Sequence, residues 1–197
     1  MSSPPASTET QKVSLRAAAI AARDALGVEH RAAAAQAIAA RGLPFEIKPG
    51  AVVAGYSPIR SEIDPTSLMR GLAARGARLA LPVITARDRP LQFRAWSPDH
   101  RLQRGPLGIL QPSLEAAELV PGILLVPLAA FDRSGHRLGY GAGHYDRTLR
   151  QLRAAGKIIA IGVAFAAQEI AGVAASGHDA RLDLVLTEDE TIDFRSS

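Results

Sequence analysis

Short apolar runs recur along the chain, and segments with helical spacing separate them. Most runs are apolar almost throughout, which is typical of strands buried on both faces of a sheet. Residues 91–96 instead alternate between apolar and polar, which predicts a hairpin partner for the preceding run. In that preceding run, Pro82 predicts the end of the strand or a sheet edge. The predicted strands are 51–56, 78–84, 91–96, 123–127, 157–165 and 182–186.

Helical patterns fill the intervals between these runs. Residues 12–41 predict helix rich in Ala and Arg, with a break at Gly27. Residues 67–75 predict a further helix. A further helix is predicted to start near Tyr145, which shares one face with the leucines four and seven residues later, and to end at Gly156. Strands that alternate with helices predict an α/β fold with a mostly parallel sheet covered on both faces.

Length and composition fit one domain. The chain has 197 residues, of which 47% are hydrophobic and 21% charged. Residues 1–11 are small and polar and predict a disordered tail, so that 12–197 form a single α/β domain. No run approaches the roughly 18 uncharged apolar residues of a membrane span. The chain has no cysteine, which excludes disulfides and thiolate sites. We expect a cytoplasmic monomer that binds no membrane.

The charge balance favours a small anionic ligand. Net charge is +4, and the basic residues are spread along the chain with acidic residues between them. Nucleic-acid binding usually shows a clustered basic face with stacking aromatics, and aromatics make up only 5% of this chain. We therefore expect no nucleic-acid partner.

One glycine-rich segment carries most of the candidate chemistry. Residues 137–147 read R-L-G-Y-G-A-G-H-Y-D-R, with glycines at 139, 141 and 143. Bare N–H groups on such a loop can form a concave nest for an anion, and the predicted helix start adds further donors. Arg137 offers a fork of donors for phosphate, and Asp146 a ligand for Mg²⁺. The segment matches neither G-x-G-x-x-G nor a Walker loop, and a tight turn with glycine for geometry alone is the alternative interpretation.

Two cations lie near the start of the first predicted helix. Lys12 and Arg16 are four residues apart, so they project from the same side of a helix. From spacing alone we favour a solvated basic stripe over a pair facing an anion. The predicted strands place several loops at one sheet edge, where α/β proteins bind ligands. No histidine spacing typical of zinc and no G-x-S-x-G is present.

The residues at 127–147, P-L-A-A-F-D-R-S-G-H-R-L-G-Y-G-A-G-H-Y-D-R, resemble the 5-formyltetrahydrofolate cyclo-ligase family. Shorter similar segments occur in the family's order and cover almost everything after residue 11. They are K-V-S-L-R at 12–16, G-Y-S-P-I-R-S-E-I-D-P at 55–65, L-A-L-P-V-I at 79–84, P-L-Q-F-R-A-W at 90–96, G-I-L-Q-P at 108–112 and H-D-A-R-L-D-L-V-L-T-E at 178–188.

This resemblance implies a three-layer α/β/α sandwich and an ATP- and Mg²⁺-dependent ring closure. The substrate would be 5-formyltetrahydrofolate, with or without a polyglutamate tail. The products would be 5,10-methenyltetrahydrofolate, ADP and phosphate. The formyl oxygen would attack the γ-phosphate, because phosphorylation makes a poor leaving group a good one. The protein would hold the reactants in line and neutralise charge.

The resemblance also implies roles for individual residues. Lys12, Arg16 and Arg137 would contact the ATP phosphates as catalytic cations, which reverses the interpretation from spacing alone. Asp146 and Asp179 would bind Mg²⁺, and Glu62 would bind the pterin edge. Tyr56, Ser57, Tyr140 and Trp96 would border the folate. The nucleotide would be wrapped by Arg137, Leu138, Gly139, Tyr140, Gly141, Ala142, Gly143, His144 and Tyr145.

Two residues depart from the family pattern G-G-G-Y-Y-D. Ala142 replaces a glycine, and it requires a negative φ because a Cβ penalises φ > 0. His144 replaces a tyrosine, which keeps a planar ring but changes its polarity. We expect neither change to abolish activity.

Four alternatives stay open. A paralogue could bind ATP and act on another substrate, although Glu62 argues for a pterin. A non-catalytic folate-binding protein would not need Arg137 and Asp146. A sugar-phosphate isomerase on a similar fold would turn over without ATP. A nucleic-acid-binding protein would show steep salt dependence.

Overall fold

The computed structural model describes residues 8–86, 88–173 and 179–195. Its α-helices are α1 (Thr8–Asp24), α2 (Val28–Arg41), α3 (Thr66–Ala74) and α4 (His144–Ala155), and short 3₁₀ helices cover Pro106–Gly108 and Ala166–Gln168. Its strands are β1 (Val52–Ala54), β2 (Arg78–Val83), β3 (Gln92–Ala95), β4 (Gln103–Arg104), β5 (Leu110–Gln111), β6 (Ile123–Pro127), β7 (Ala130–Phe131), β8 (Arg137–Leu138), β9 (Ile159–Val163), β10 (Leu184–Leu186) and β11 (Thr191–Asp193). Within these ranges every helix is too short or too polar to cross a lipid bilayer.

A seven-stranded sheet forms the centre of the fold, in the order β11-β10-β9-β6-β1-β2-β3. The five inner strands pair in parallel, and the two outermost strands run antiparallel to their neighbours. The predicted mostly parallel sheet and the β2–β3 hairpin are therefore confirmed. Pro82 lies within β2, and its backbone nitrogen faces β1. The pairing between β1 and β2 ends at Ala80, before Pro82 is reached. Its missing N–H thus removes no hydrogen bond from the sheet.

Helices cover both faces of the sheet. Along β6, Ile123 and Leu125 face a cluster that includes α2 and α3, whereas Leu124 and Val126 face a cluster that includes Leu149 of α4. This alternation follows from the period of two in a strand, which sends successive side chains to opposite faces. Because every residue of β6 is buried, the strand reads as a continuous apolar run. The three-layer α/β/α sandwich is confirmed.

Helix α1 packs at the margin of the sandwich, beside the small β7–β8 hairpin. Ala19 of α1 is buried against Ala129, Ala130 and Leu138. The helix begins at Thr8, so residues 8–11 belong to it and not to the predicted tail. Residues 1–7 of that tail lie outside the described residues. The hairpin ends at Leu138 and delivers the chain directly into the glycine-rich segment.

Candidate functional site

A cavity of about 540 Å³ opens at the carboxyl ends of the parallel strands. It lies beyond β1, β2 and β6, at the sheet edge where ligands bind in open α/β folds. Its walls come from α1, the loop after β1, the glycine-rich segment and the start of α4. All but one of the predicted site residues line it: Lys12, Arg16, Tyr56, Ser57, Glu62, Arg137, Leu138, Gly139, Tyr140, Gly141, Ala142, Gly143, His144, Tyr145, Asp146 and Asp179.

Trp96, which was predicted to border the folate, is the exception and does not line this cavity. It follows β3, which runs antiparallel to β2, and its backbone N–H donates to the Leu79 carbonyl at the start of β2. The antiparallel direction carries Trp96 to the amino edge of the parallel strands, at the far end of the sheet from the cavity. There it packs against the α2–α3 side of the core and borders a separate hollow with His100 and Pro112.

The glycine-rich segment joins β8 to α4 through two left-handed residues. Gly141 has φ +92°, and Gly143, the N-cap of α4, has φ +68°. Both conformations favour glycine, because a Cβ would be strained there. Ala142 is not among the described residues with positive φ, so its Cβ fits the backbone it has. Turn geometry therefore requires glycine at 141 and 143, and the turn also delivers the free N–H groups of the α4 start to the cavity.

Both cations of α1 face the cavity. The Lys12 Nζ donates to Asp179 Oδ2 at 2.8 Å, and only 12% of the Lys12 side chain is exposed. The Arg16 Nε donates to the Gly139 carbonyl at 2.6 Å, so the guanidinium clamps the glycine-rich segment to α1. The interpretation of a solvated stripe is wrong, because α1 turns this side towards the carboxyl edge of the sheet. The pair adds positive charge next to the α4 N-terminus.

Arg137 and Asp146 form an ion pair at the cavity wall. The Arg137 Nη2 donates to Asp146 Oδ1 at 2.8 Å, and the Arg137 Nη1 donates to the Ala180 carbonyl. The Ala180 backbone N–H also donates to Asp146 Oδ1, at 3.1 Å. Only 3% of the Arg137 side chain is exposed, against 28% for Asp146. The guanidinium thus holds the start of α4 to the segment around residue 180.

The predicted metal ligands, Asp146 and Asp179, both line the cavity, and each pairs with a cation. No cluster of three or more His, Cys, Asp or Glu side chains suited to a metal occurs in the described ranges. Mg²⁺ is commonly held by one or two carboxylates together with substrate phosphates and water. The donor set therefore fits a magnesium ion that arrives with a nucleotide better than a metal held by the protein alone.

Glu62 supplies a carboxylate to the cavity from the loop after β1. Its Oε2 accepts a hydrogen bond from the Ile59 backbone N–H at 2.9 Å. Burial raises the pKa of Glu62 above its ordinary value, and the Ile59 N–H, Tyr140 and Arg23 oppose that rise. Burial and the nearby Glu62 charge also raise the pKa of Tyr140 and Tyr145. A partly buried carboxylate with aromatic neighbours is suited to a flat ligand that offers N–H donors.

Tyr56 closes the floor beside Glu62. Its hydroxyl donates to the Ile63 carbonyl at 2.8 Å, which ties the end of β1 to the loop that carries the carboxylate. Burial raises the pKa of Tyr56 well above its ordinary value, so the hydroxyl keeps its proton. The ring is 4% exposed, and it lines the cavity together with Ser57.

Three basic residues at the site were not predicted from the sequence. Arg147 and Arg150 of α4 line the cavity. Arg23, which contacts Tyr140, is the third. It lies on α1, seven residues after Arg16, and it is 1% exposed. Its Nε donates to Ser61 Oγ at 2.9 Å, and its Nη1 donates to the Tyr140 hydroxyl. The spacing offered a signal, because positions seven apart share one face of a helix. Arg23 therefore extends the basic face of Lys12 and Arg16 towards Glu62.

His144, one of the two departures from the family pattern, lies in the first turn of α4. Its Nδ1 is 3.3 Å from the Arg89 carbonyl, in the turn between β2 and β3. Its own carbonyl accepts a hydrogen bond from the Thr148 hydroxyl, whose oxygen in turn accepts from the Leu91 N–H. The histidine thus joins the cavity lining to the β2–β3 turn.

Comparison with known proteins identifies related chains. The sequence model of the 5-formyltetrahydrofolate cyclo-ligase family matches residues 8–188. The 5-formyltetrahydrofolate cyclo-ligase of Haemophilus influenzae is 32% identical over 123 residues, which cover 60% of this chain and 65% of the relative. That of Mycolicibacterium smegmatis is 38% identical over 120 residues, covering 57% and 61%. These matches span less than two thirds of the curated relatives.

Two solved structures are similar over most of their length. The 5,10-methenyltetrahydrofolate synthetase of Aquifex aeolicus superposes with a TM-score of 0.77 at 29% identity, covering 94% of each chain. The 5,10-methenyltetrahydrofolate synthetase of Mycoplasma pneumoniae gives a TM-score of 0.69 at 26% identity, covering 90% of this chain and 98% of the other. The similarity therefore covers the whole sandwich and not one motif alone.

Proposed function

The chain belongs to the 5-formyltetrahydrofolate cyclo-ligase family, and we propose that it converts 5-formyltetrahydrofolate into 5,10-methenyltetrahydrofolate with ATP and Mg²⁺. ADP and phosphate would be released. The single observation that carries the proposal is the cavity: a glycine-rich turn at a helix N-terminus and a partly buried carboxylate line the same 540 Å³ space. A nucleotide site alone would need only the turn, and a pterin site alone would need only the carboxylate.

The nucleotide half of the proposal rests on the positive end of the cavity. Lys12, Arg16 and Arg137 supply three cations, and the α4 N-terminus adds partial positive charge. Their present partners are two carboxylates and two carbonyls, which leaves further N–H donors on each guanidinium for phosphate oxygens. We propose that residues 137–145 wrap the triphosphate, with Gly141 and Gly143 allowing its close approach.

The metal assignment rests on Asp146 and Asp179. When bound, Mg²⁺ would be held by Asp146 and Asp179 and would neutralise negative charge that develops during phosphoryl transfer. Asp146 already lies at the first turn of α4, and Lys12 brings Asp179 to the same wall. The carboxylates would then exchange part of their pairing with Arg137 and Lys12 for the metal. The freed cations would turn to the phosphates.

The folate half rests on Glu62 and the aromatic side chains beside it. An ionised carboxylate accepts two parallel N–H bonds, which suits the amino-pyrimidine edge of a pterin. Tyr56, Ser57 and Tyr140 would border the ring, and the desolvated surroundings would strengthen each hydrogen bond. Glu62 would fix the orientation of the folate, and thereby the position of its formyl group relative to the phosphates.

The chemistry then needs positioning and charge neutralisation more than acid–base catalysis. The formyl oxygen would attack the γ-phosphorus, the bond to the β–γ bridging oxygen would break, and ADP would leave. N10 would next attack the activated carbon and lose its proton to the departing phosphate or to water, and the C–O bond would break to release phosphate. The carbon is then joined to both N5 and N10. Lys12, Arg16 and Arg137 would stabilise the negative charge on the transferred group.

The test is a direct assay of the reaction. Purified protein is mixed with 5-formyltetrahydrofolate, ATP and Mg²⁺, and the near-ultraviolet absorbance of methenyltetrahydrofolate is followed. The proposal expects a rise that requires both ATP and Mg²⁺. Bound ATP without a rise would favour a paralogue with another substrate, and bound folate without turnover would favour a folate-binding protein. We further propose that the protein works as a cytoplasmic monomer without nucleic-acid or membrane partners.

A further inference from the structure

A nearly inaccessible guanidinium lies behind the folate end of the cavity. Arg23 is 1% exposed and is one of the largest fully buried side chains among the described residues. A buried cation costs free energy unless hydrogen bonds and opposite charge compensate for its lost hydration. Its closest carboxylate, Asp24, is half exposed and 3.8 Å from the Arg23 Nε. A residue kept at this cost invites a functional explanation.

The contacts of Arg23 join three separate parts of the site. From α1 it donates to Ser61, the residue immediately before Glu62, and to the Tyr140 hydroxyl in the glycine-rich segment. Its guanidinium carbon is 5.7 Å from the centre of the Tyr140 ring. The Ser61 hydroxyl in turn donates to Asp24, so the same turn of α1 holds Ser61 from both sides.

We propose that Arg23 is a positioning residue that fixes Glu62 and Tyr140 for the folate. The inference rests on the proposed function, because it assigns Glu62 and Tyr140 to substrate binding. Helix α1 would then serve both halves of the reaction. Lys12 and Arg16, in its first half and at its middle, would face the phosphates, and Arg23 in its last turn would set the folate end. The distance between the phosphate and pterin sites would be set by one rigid helix.

Charge supports the geometry. Glu62 is faced by Arg23 from α1, by Tyr140 and Tyr145 from the glycine-rich segment and α4, and by Tyr56 after β1. Among these, Arg23 is the cation, and it lowers the pKa of Glu62 against the effect of burial. Removing the positive charge would therefore raise the pKa of Glu62 further. The fraction of ionised Glu62 at neutral pH would fall.

Two variants separate charge from geometry. Arg23→Met keeps an unbranched side chain without charge, and Arg23→Lys keeps the charge without the fork of donors. Arg41→Met is the control, since Arg41 donates to the Thr187 and Glu188 carbonyls away from the cavity. Thermal unfolding checks that each variant folds. The steady-state KM for 5-formyltetrahydrofolate and for ATP is then measured over a range of pH.

For Arg23→Met we expect the KM for the folate to rise about tenfold or more, the scale of one lost hydrogen bond to a charged group. The KM for ATP should change by less than about threefold, which falls under 1 kcal/mol. The rising limb of the kcat/KM profile should move to higher pH. Arg23→Lys should restore the wild-type pH profile, but it should bring the KM for the folate only part of the way back to the wild-type value. Equal losses for both substrates, with an unmoved pH profile, would overturn the proposal.

A second measurement does not depend on turnover. The Glu62 carboxyl carbon is labelled with ¹³C and titrated by NMR in the wild-type, Arg23→Met and Arg41→Met proteins. The proposal expects a higher Glu62 pKa in Arg23→Met alone. If the wild type shows no cyclo-ligase activity, the proposed function fails while this titration still decides whether Arg23 controls Glu62. An unchanged Glu62 pKa in a folded Arg23→Met protein would refute the coupling.

Discussion

Asp146 combines a proposed metal ligand with a structural ion pair, and two substitutions should separate these roles. Asp146→Ala removes the partner of Arg137, whose side chain is 3% exposed. Removing one partner of a fully buried pair costs about 3–5 kcal/mol. Because 28% of the Asp146 side chain is exposed, solvent screening reduces the expected loss to about 2 kcal/mol.

Asp146→Asn keeps an oxygen that accepts from the Arg137 guanidinium and the Ala180 N–H, but it loses the charge. We expect it to cost about 1 kcal/mol, since a charge-assisted hydrogen bond is about twice as strong as a neutral one. In a protein of this size these losses correspond to melting temperatures lower by about 4–8 °C for Ala and 2–4 °C for Asn. Both variants should lose Mg²⁺-dependent turnover.

The assay pairs urea unfolding with initial rates over a series of Mg²⁺ concentrations. Unfolding gives the stability loss of each variant, and the rate series gives the apparent Mg²⁺ affinity. Wild-type Mg²⁺ dependence in Asp146→Asn would refute the metal role. A loss below about 0.5 kcal/mol in Asp146→Ala, the range of an ordinary surface substitution, would refute the reasoning about the ion pair.

Three further predictions concern other residues. Glu62→Gln should lower kcat/KM by about a hundredfold through the lost carboxylate. It should also raise stability at pH 7, because burial puts the folded-state pKa of Glu62 above its ordinary 4.5. With a raised folded-state pKa, the wild-type stability linked to Glu62 is fully present below the unfolded-state pKa and is lost as pH rises through the folded-state pKa. The stability gained by Glu62→Gln should therefore vanish in acid. A gain that persists in acid would contradict this argument. Gly143→Ala should cost about 1–2 kcal/mol by urea unfolding, since φ is +68° and the new Cβ would lie 2.7 Å from the Arg147 side chain. Gly139→Ala is its control, because that Cβ meets open space; equal losses would contradict the φ argument. Trp96→Phe should leave both KM values within about twofold, under 0.5 kcal/mol, and a larger rise in the folate KM would show that the tryptophan reaches the site.

The fold was predictable because its signals are local. The strand 123–127 is buried along its whole length, so burial on both faces is written directly into five consecutive residues. The helix after the glycine-rich segment was predictable from its apolar face and from the glycine at 156 that ends it. The strand at 191–193 was not predicted, because it is short, mostly half exposed and held by its pairing with β10.

The candidate site was predictable where one continuous segment builds it. Residues 137–147 carry their glycines, cation and carboxylate within eleven positions, so sequence order alone brings them together. Side chains from distant segments were harder to interpret. The spacing of Lys12 and Arg16 shows that they share one side of α1. Only packing decides whether that side faces solvent or the cavity.

The sequence by itself determined the sandwich, the glycine turn and the family, because each depends on patterns within short stretches. Tertiary structure alone decided which side chains meet across the chain. It turned Trp96 to the opposite sheet edge, because strand direction is a property of the assembled sheet. It also buried Arg23 against Ser61 and Tyr140, residues 38 and 117 positions away. A cation's role depends on what surrounds it, and packing supplies those surroundings.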